Sequence, residues 1–271
     1  MKKLFCFFLA ALMVLAVSCK KDNPGKKGKY GVDGVTPLPE AVDLGLESGI
    51  KWASFNLGAS KEYEYGDYYA WGETQTYYSS LEPLTWKDGK SDRYGWTSYS
   101  WCNGAYNKLT KYCPKDKTDY WDVADKDPDG EVKLLPSDDV AHVKLGGKWR
   151  MPTFDNIKEL LALKTNEDYT WEQWVMITDA NDNEVKDAWD NVVRGIRITR
   201  NSTGATLFLP AAGFCNGSSI GLDAGDRGIY WSSSLNTDEP NRAYYLSFYS
   251  DDSEWYRGNR YVGFTVRPVS E

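Results

Sequence analysis

Carboxylates alternate along the segment 125–130, which reads Asp-Lys-Asp-Pro-Asp-Gly. This spacing offers an oxygen ligand at every second position, and Gly130 allows the chain to turn. Loops that bind the hard cation Ca²⁺ have both features. The position where such a loop carries a bidentate glutamate is Pro136, so Glu131 or Asp138 would have to substitute. The incomplete motif favours a solvated acidic turn, with calcium binding as the alternative. The candidate calcium ligands are Asp125, Asp127, Asp129 and Glu131.

Aromatic side chains recur among Gly, Ser and Asp in the stretch 74–135, where the sequence predicts no long regular element. Exposed rings could stack on sugars or on the side chains of a bound protein, whereas buried rings would fasten this long stretch to the core. For most of these rings the sequence favours the fastening role. The rings that are candidate ligand contacts are Trp86, Trp96, Tyr99 and Trp101.

Catalytic chemistry has few candidates in this chain. His142 is the only histidine, so any Ser–His or Cys–His mechanism would have to use it. The segment 146–148 lacks the earlier glycine and the Ser or Thr of a phosphate-binding loop. Acidic residues are plentiful, and a glycosidase pair stays open, but no motif marks one. We therefore predict a protein that is not an enzyme, with a hydrolase as the weaker alternative.

The N-terminus predicts export and lipid attachment. Two lysines precede an apolar run over 4–17, which is shorter than the roughly 20 residues of a membrane-spanning helix. The run ends in 16–19, Ala-Val-Ser-Cys, which resembles a bacterial lipobox. We predict a signal peptide over 1–18, a lipid on Cys19 and a flexible tether over 19–40. Ordinary signal cleavage is the alternative. The expected location is the bacterial outer membrane or cell surface.

Three cysteines remain beyond the predicted anchor. Export exposes a chain to oxidising conditions, which permit disulfides. Cys102 and Cys113 enclose a short loop and are the expected disulfide pair, while Cys215 is expected to be buried beside 211–214. The formal net charge of −7 argues against a nucleic-acid partner, because phosphate binding needs a basic face. Contact with the membrane is expected through the lipid on Cys19 alone.

Two helices are predicted near the middle of the chain. Thr153 is a good N-cap for a helix over 154–161, whose apolar residues share one face. A second short helix is predicted over 138–145, with Ser137 as its cap and Gly146 ending it. Because strands lie on both sides of the helices in sequence, the predicted class is α+β.

Alternating apolar residues and turn signals predict the strands. The segment 179–192 is polar and acidic, and it is expected to be an excursion between strands. The predicted strands are 41–46, 50–57, 195–199, 205–214, 229–233, 242–249 and 262–267.

Several short segments occur together in one order along the chain: 42–46, 51–53, 65–73, 101–104, 149–153, 209–213, 230–234 and 263–269. In these segments the chain resembles the Fibrobacter-type major paralogous domain family, which is common in lipoproteins of gut bacteroidetes. The resemblance implies a single domain over 41–271 with a C-type lectin-like fold. That fold is a small twisted antiparallel sheet with two short helices and long irregular loops.

Residues 239–241, Glu-Pro-Asn, match the tripeptide that binds sugar and calcium in true C-type lectins. The companion Trp-Asn-Asp is absent, because Trp255 is followed by Tyr256, and a plain turn explains the tripeptide equally well. Glu239 and Asn241 are therefore further candidate ligand contacts. We expect a lipid-anchored, non-enzymatic module that binds a glycan or a protein. The alternative is a structural envelope component that acts through protein–protein contacts.

The lipid anchor is directly testable. Replacing Cys19→Ala removes the thiol that would carry the lipid, so we expect the variant to leave the membrane fraction and appear in the soluble fraction. Fractionation of cells followed by immunoblotting measures this. The variant Cys6→Ala, altered within the predicted signal peptide, is the control and should stay with the membrane. Membrane retention of Cys19→Ala would refute the anchor.

Overall fold

The computed structural model describes residues 29–77 and 94–271. Within them the chain forms two short helices and small antiparallel sheets, so the predicted α+β class is confirmed in a sheet-rich form. The strands are β1 Ala41–Val42, β2 Lys51–Ala53, β3 Trp149–Arg150, β4 Tyr169–Met176, β5 Arg194–Arg200, β6 Thr206–Pro210, β7 Phe214–Asn216, β8 Ser219–Leu222, β9 Gly228–Leu235, β10 Arg242–Phe248, β11 Ser253–Asn259 and β12 Val269–Ser270. The sheets have the strand orders β1-β2-β12-β3, β4-β5-β6, β11-β10-β9 and β7-β8. The helices are α1 Val140–Leu145 and α2 Phe154–Ala162.

Helix α2 begins where its sequence predicts. The Thr153 hydroxyl accepts the Asn156 N–H at 3.2 Å, and the Asn156 side chain accepts the Thr153 N–H at 3.0 Å. This reciprocal pair satisfies two backbone donors that a helix start leaves open. Ile157 and Leu160 lie on the buried face of the helix.

Helix α1 is capped by a different residue from the one predicted. Its N-cap is Asp139, whose carboxylate accepts the N–H groups of Ala141 and His142, so the helix starts later than the predicted 138–145. The Ser137 hydroxyl instead donates to Asp138, and the predicted Ser137 cap is wrong. The same Asp139 carboxylate accepts the Met151 N–H, which joins α1 to the chain just before α2.

Strands whose apolar residues alternate in sequence were predicted, and strands without this alternation were missed. The β5–β6 hairpin is confirmed, with Ile198 paired to Leu207. Strands β4 and β11 were not predicted, because their exposed positions carry aromatic and charged residues without clean alternation. The predicted strand over 262–267 is replaced by single bridges to different segments: Phe264 pairs with Tyr69, and Thr265 with Tyr230.

Arg260 is fully buried and joins the irregular stretch to the sheets. Its Nε donates to Tyr99 Oη at 2.8 Å, and its Nη1 donates to the carbonyls of Tyr112 at 3.1 Å and Pro240 at 3.0 Å. Its Nη2 donates to the Lys111 carbonyl at 2.9 Å. One side chain thus fixes residues that are far apart in sequence.

The predicted disulfide is not formed. Cys102 and Cys113 are free thiols whose sulfur atoms contact different carbonyls, Trp96 O at 3.0 Å and Lys117 O at 3.3 Å. Contacts made by Arg260 and by the aromatic rings hold this part of the chain instead. Cys215 is buried, as expected.

The described part of the predicted tether packs against the domain. Gly31 N donates to Thr36 O at 2.8 Å, and Asp33 N donates to the Lys144 carbonyl at the end of α1. Val32 lies against Gly146, where an added side chain would collide with it. The predicted signal peptide 1–18, Cys19 and Trp86 lie outside the described residues. Across 29–77 and 94–271, no helix has the length and apolar character needed to span a membrane.

Candidate functional site

A groove with a volume of about 820 Å³ opens beside the acidic excursion between β4 and β5. That volume lies within the usual range for ligand sites. We call it the Trp189 groove. Its walls are formed by residues 35–37, 58–60, 63–68 and 186–189, together with Lys144, Val193 and Ile220.

Trp189 is held on one wall by a turn that Asp187 closes. The Asp187 Oδ1 atom accepts the N–H groups of Trp189 and Asn191, each at 2.8 Å, and Lys186 pairs with Asp190 at 2.8 Å. Asp190 adopts a φ of 67°, a conformation that aspartate tolerates better than most residues. The indole is nevertheless 45% exposed. An exposed tryptophan is thus fixed in place by its own turn.

Two further contacts orient the Trp189 ring. It stacks on the Tyr65 ring with the centroids 6.3 Å apart and an interplanar angle of 21°. It also lies over Gly221, where a Cβ atom would be 2.8 Å from the ring. Only glycine leaves this space, and Gly221 has a φ of +65°, which glycine adopts without strain.

Another part of the lining is a turn that Glu64 closes. The Glu64 Oε2 atom accepts the N–H groups of Ser60 at 2.7 Å and of Lys61 at 3.2 Å. Beneath this turn, Asn56 Nδ2 donates to the Tyr65 carbonyl at 2.8 Å. The groove floor is therefore connected to buried side chains, and its shape does not depend on the loops alone.

The Tyr65 phenol is a buried donor at the floor of the groove. Its Oη is shielded from solvent and has no acceptor in good hydrogen-bond geometry among the described residues, although the Asp187 carboxylate lies near it. Burial raises its pKa far above the ordinary tyrosine value, and the nearby Asp187 carboxylate raises it further, so the hydroxyl stays protonated. Tyr68, also buried, differs because its Oη donates to the Ala212 carbonyl.

The groove combines aromatic surface with carboxylates. Tyr63 and Trp189 supply ring faces, and Glu64, Asp67 and Asp187 supply oxygen acceptors. Such a set suits a ligand that presents C–H faces and hydroxyl donors together. Lys144 and Lys186 also line the groove, but three carboxylates against two ammonium groups leave its lining with a net negative charge, which disfavours a polyanion.

The aromatic residues predicted as ligand contacts mainly fasten the loops. Tyr99 is buried and donates to the Trp71 carbonyl at 2.7 Å. Trp101 Nε1 donates to the Gly72 carbonyl at 2.9 Å. Trp96 is partly buried and meets the rings of Tyr99 and Tyr261 edge to face. None of these three rings lines the Trp189 groove.

The Glu-Pro-Asn tripeptide is also engaged internally. Glu239 Oε2 lies 3.5 Å from Arg242 Nη1 and 3.4 Å from Arg257 Nε. Asn241 is buried, and its Oδ1 has no hydrogen-bond partner among the described residues. These two residues therefore do not form an open site like the one implied by the lectin tripeptide.

The candidate calcium ligands do not converge. Asp129 closes a turn by accepting the N–H groups of Tyr112 at 2.7 Å, Cys113 at 2.9 Å and Glu131 at 3.1 Å. Over the described ranges, no three His, Cys, Asp or Glu side chains form a group that could hold a metal ion. Backbone N–H groups occupy the Asp129 carboxylate, so this residue closes a turn. The predicted ligands Asp125, Asp127, Asp129 and Glu131 do not form a common site.

His142 has a structural neighbour. Its Nδ1 lies 3.2 Å from the Trp149 carbonyl oxygen, within the contact between α1 and β3. The residue does not line the Trp189 groove.

Sequence reasoning missed Trp189 because it lies in a segment that is otherwise polar. The available signal was local: an aspartate two residues before an isolated tryptophan is typical of a turn closed by a side chain.

Comparisons with protein-family models, with curated proteins and with solved structures found no match to this chain.

The two buried tyrosines of the groove give a matched test of its geometry. Tyr65→Phe removes a hydroxyl that lacks an acceptor in good geometry, so we expect the free energy of unfolding to change by less than about 0.5 kcal/mol. Tyr68→Phe removes a hydroxyl that donates to a carbonyl, so we expect a fall of about 1 kcal/mol or more. Denaturant titration measures both. Equal losses in the two variants would contradict the assignment of Tyr65 as the phenol that lacks such an acceptor.

Proposed function

We propose that this chain is a non-enzymatic binding module that recognises a glycan in the Trp189 groove. The observation that carries the proposal is the exposed, immobilised indole of Trp189 at the groove wall. Exposing a large ring costs hydrophobic free energy, and a ring that is already ordered loses little entropy when a ligand covers it. These properties suit a stacking platform.

A glycan fits the other groups of the groove. The C–H face of a pyranose can cover the indole, while its hydroxyls donate to the carboxylates of Glu64, Asp67 and Asp187. The three carboxylates of the lining outnumber its two lysines, so the groove disfavours acidic sugars. The net charge of −7 acts in the same direction. We therefore propose a neutral glycan as the ligand.

The proposal places the chain in the major paralogous domain family with a C-type lectin-like fold. Contacts between the segments that carry the resemblance support this assignment. Trp71 Nε1 donates to the Ser232 carbonyl at 2.8 Å, and Trp231 Nε1 donates to the Tyr69 carbonyl at 2.9 Å. These segments thus meet in one core. The small antiparallel sheets and long irregular stretches are also what such a fold would require.

The proposed setting is the bacterial outer membrane or cell surface, with a lipid on Cys19 as the anchor. The support is the sequence at 1–19, with its basic start, short apolar run and terminal cysteine. A module in this position would meet extracellular glycans. The second candidate is a structural envelope component, and the exposed strand β11 is the observation that favours it.

Binding to a glycan array, with and without a chelator, tests the proposal. We expect neutral glycans to bind the parent chain, and Trp189→Ala to weaken binding at least about tenfold because the stacking platform is lost. The control is Tyr106→Ala, which removes a ring that is 52% exposed and lies outside the groove. The control should bind like the parent.

Two results would overturn this function. One is that no glycan binds under any condition. The other is that Trp189→Ala and Tyr106→Ala bind equally well. A loss of binding with the chelator would show that a cation takes part, although the described residues provide no cluster of three ligands for one.

A further inference from the structure

Strand β11 lies at the edge of its sheet and leaves part of its backbone unpaired. The sheet order is β11-β10-β9, and the seven residues Ser253–Asn259 pair with β10 on one side only. An open edge of this kind can pair with another strand. This observation is independent of the Trp189 groove.

The register shows which backbone groups point outward. At the two ends of the β10–β11 ladder, Arg260 N donates to Asn241 O, and Tyr249 N donates to Asp252 O. Hydrogen-bonded residues alternate along an antiparallel ladder, so even-numbered β11 residues direct their backbone groups to β10. Odd-numbered residues direct theirs outward.

Both ends of the outer edge are occupied, and its centre is open. The Ser253 carbonyl accepts Lys164 Nζ at 2.9 Å, and the Asn259 carbonyl accepts Val262 N at 3.1 Å. Between them, the outward N–H and C=O groups of Trp255 and Arg257 make no hydrogen bond within residues 29–77 and 94–271. A short stretch of four donor and acceptor groups is available.

We propose that a second copy of this chain pairs with the edge, antiparallel, with the two Tyr256 residues opposite each other. The outward backbone groups of Trp255 in each copy would then form hydrogen bonds with those of Arg257 in the other copy. The two interactions are equivalent, as a two-fold interface requires. The β9–β11 sheets of the two copies become one continuous sheet.

The side chains select this register over its neighbours. Centring on Tyr256 places the Trp255 ring beside the Arg257 guanidinium of the other copy, an attractive cation–π pair. It also places Glu254 opposite Gly258, so no like charges face each other. Centring on Arg257 would oppose two guanidinium groups. Centring on Trp255 would bring Arg257 against Ser253, where Lys164 is bound.

Cysteine crosslinking in cells that express the full chain tests this pairing. In the proposed register, residues 256 of the two copies form a pair without mutual hydrogen bonds, whose Cα atoms lie about 4.5 Å apart. That distance permits a disulfide. We therefore expect Tyr256→Cys to give a disulfide-linked dimer when copper phenanthroline removes two electrons and two protons from the thiols.

The matched control is Glu254→Cys. This residue is exposed and lies on the same face as Tyr256, but its two copies would be about 14 Å apart, which is too far for a disulfide. We expect at least about tenfold less dimer from it. The parent chain corrects for its own cysteines, and non-reducing gels with mass spectrometry identify the product.

The results are decisive in either direction. Dimer from Tyr256→Cys and little from Glu254→Cys would support the pairing. Equal dimer from both cysteine variants, or none from either, would overturn it. A crosslink of Tyr256→Cys to a different protein alone would also overturn it, because another strand would then occupy the edge.

Discussion

The hydrogen bonds of Arg260 are the constraint on which the irregular half of the fold depends. A guanidinium removed from water is costly unless its donors are matched, and no described carboxylate pairs with Arg260. Carbonyls and a phenol match it instead, and the rings of Trp71, Tyr99 and Tyr112 face its charge at 5.0–5.8 Å. Because each acceptor must stay in place, the chain around residues 111 and 112 is fixed without regular secondary structure.

A second buried arginine acts on the proposed binding site. Arg267 Nε donates to Asn56 Oδ1 at 2.7 Å, and Asn56 in turn holds the Tyr65 carbonyl. Burial lowers the pKa of Arg267 to about 10, and the group remains charged at neutral pH. The floor beneath Trp189 is therefore tied to the core through Asn56. Rigid support of this kind lowers the entropy that a binding site loses when a ligand arrives.

The parts of the fold that were predictable are those whose cause is local. The Thr153 cap and the β5–β6 hairpin depend on residues within a few positions of each other, and both are confirmed. The Asp139 cap was missed because Asp139 also bonds Met151, a contact that the pattern of a single helix does not reveal. The short sequence separation of Cys102 and Cys113 predicted a disulfide that is not formed, because the two sulfur atoms lie in separate turns and contact different carbonyls.

The candidate site was less accessible to sequence reasoning than the fold. Its walls come from segments near residues 36, 64 and 188, and no periodicity connects them. The orientation of the Trp189 ring depends on contacts with Tyr65 and Gly221, which are distant from it in sequence. Conversely, the described candidate rings Trp96, Tyr99 and Trp101 are buried or partly buried, and they fasten the irregular stretch to the core. A high content of aromatic residues therefore did not indicate which ring lines the groove.

Hydrogen exchange of the loop amides tests the role of Arg260 most directly. Leu109 N donates to Tyr120 O, and Asp122 N donates to Leu109 O, in the stretch that Arg260 holds. In the parent chain we expect both amides to be protected like Tyr245 in β10. In Arg260→Lys, we expect both to exchange about 100-fold faster relative to Tyr245, which corresponds to about 3 kcal/mol of lost local stability. Unprotected loop amides in the parent, or equal acceleration at all three positions, would contradict the account.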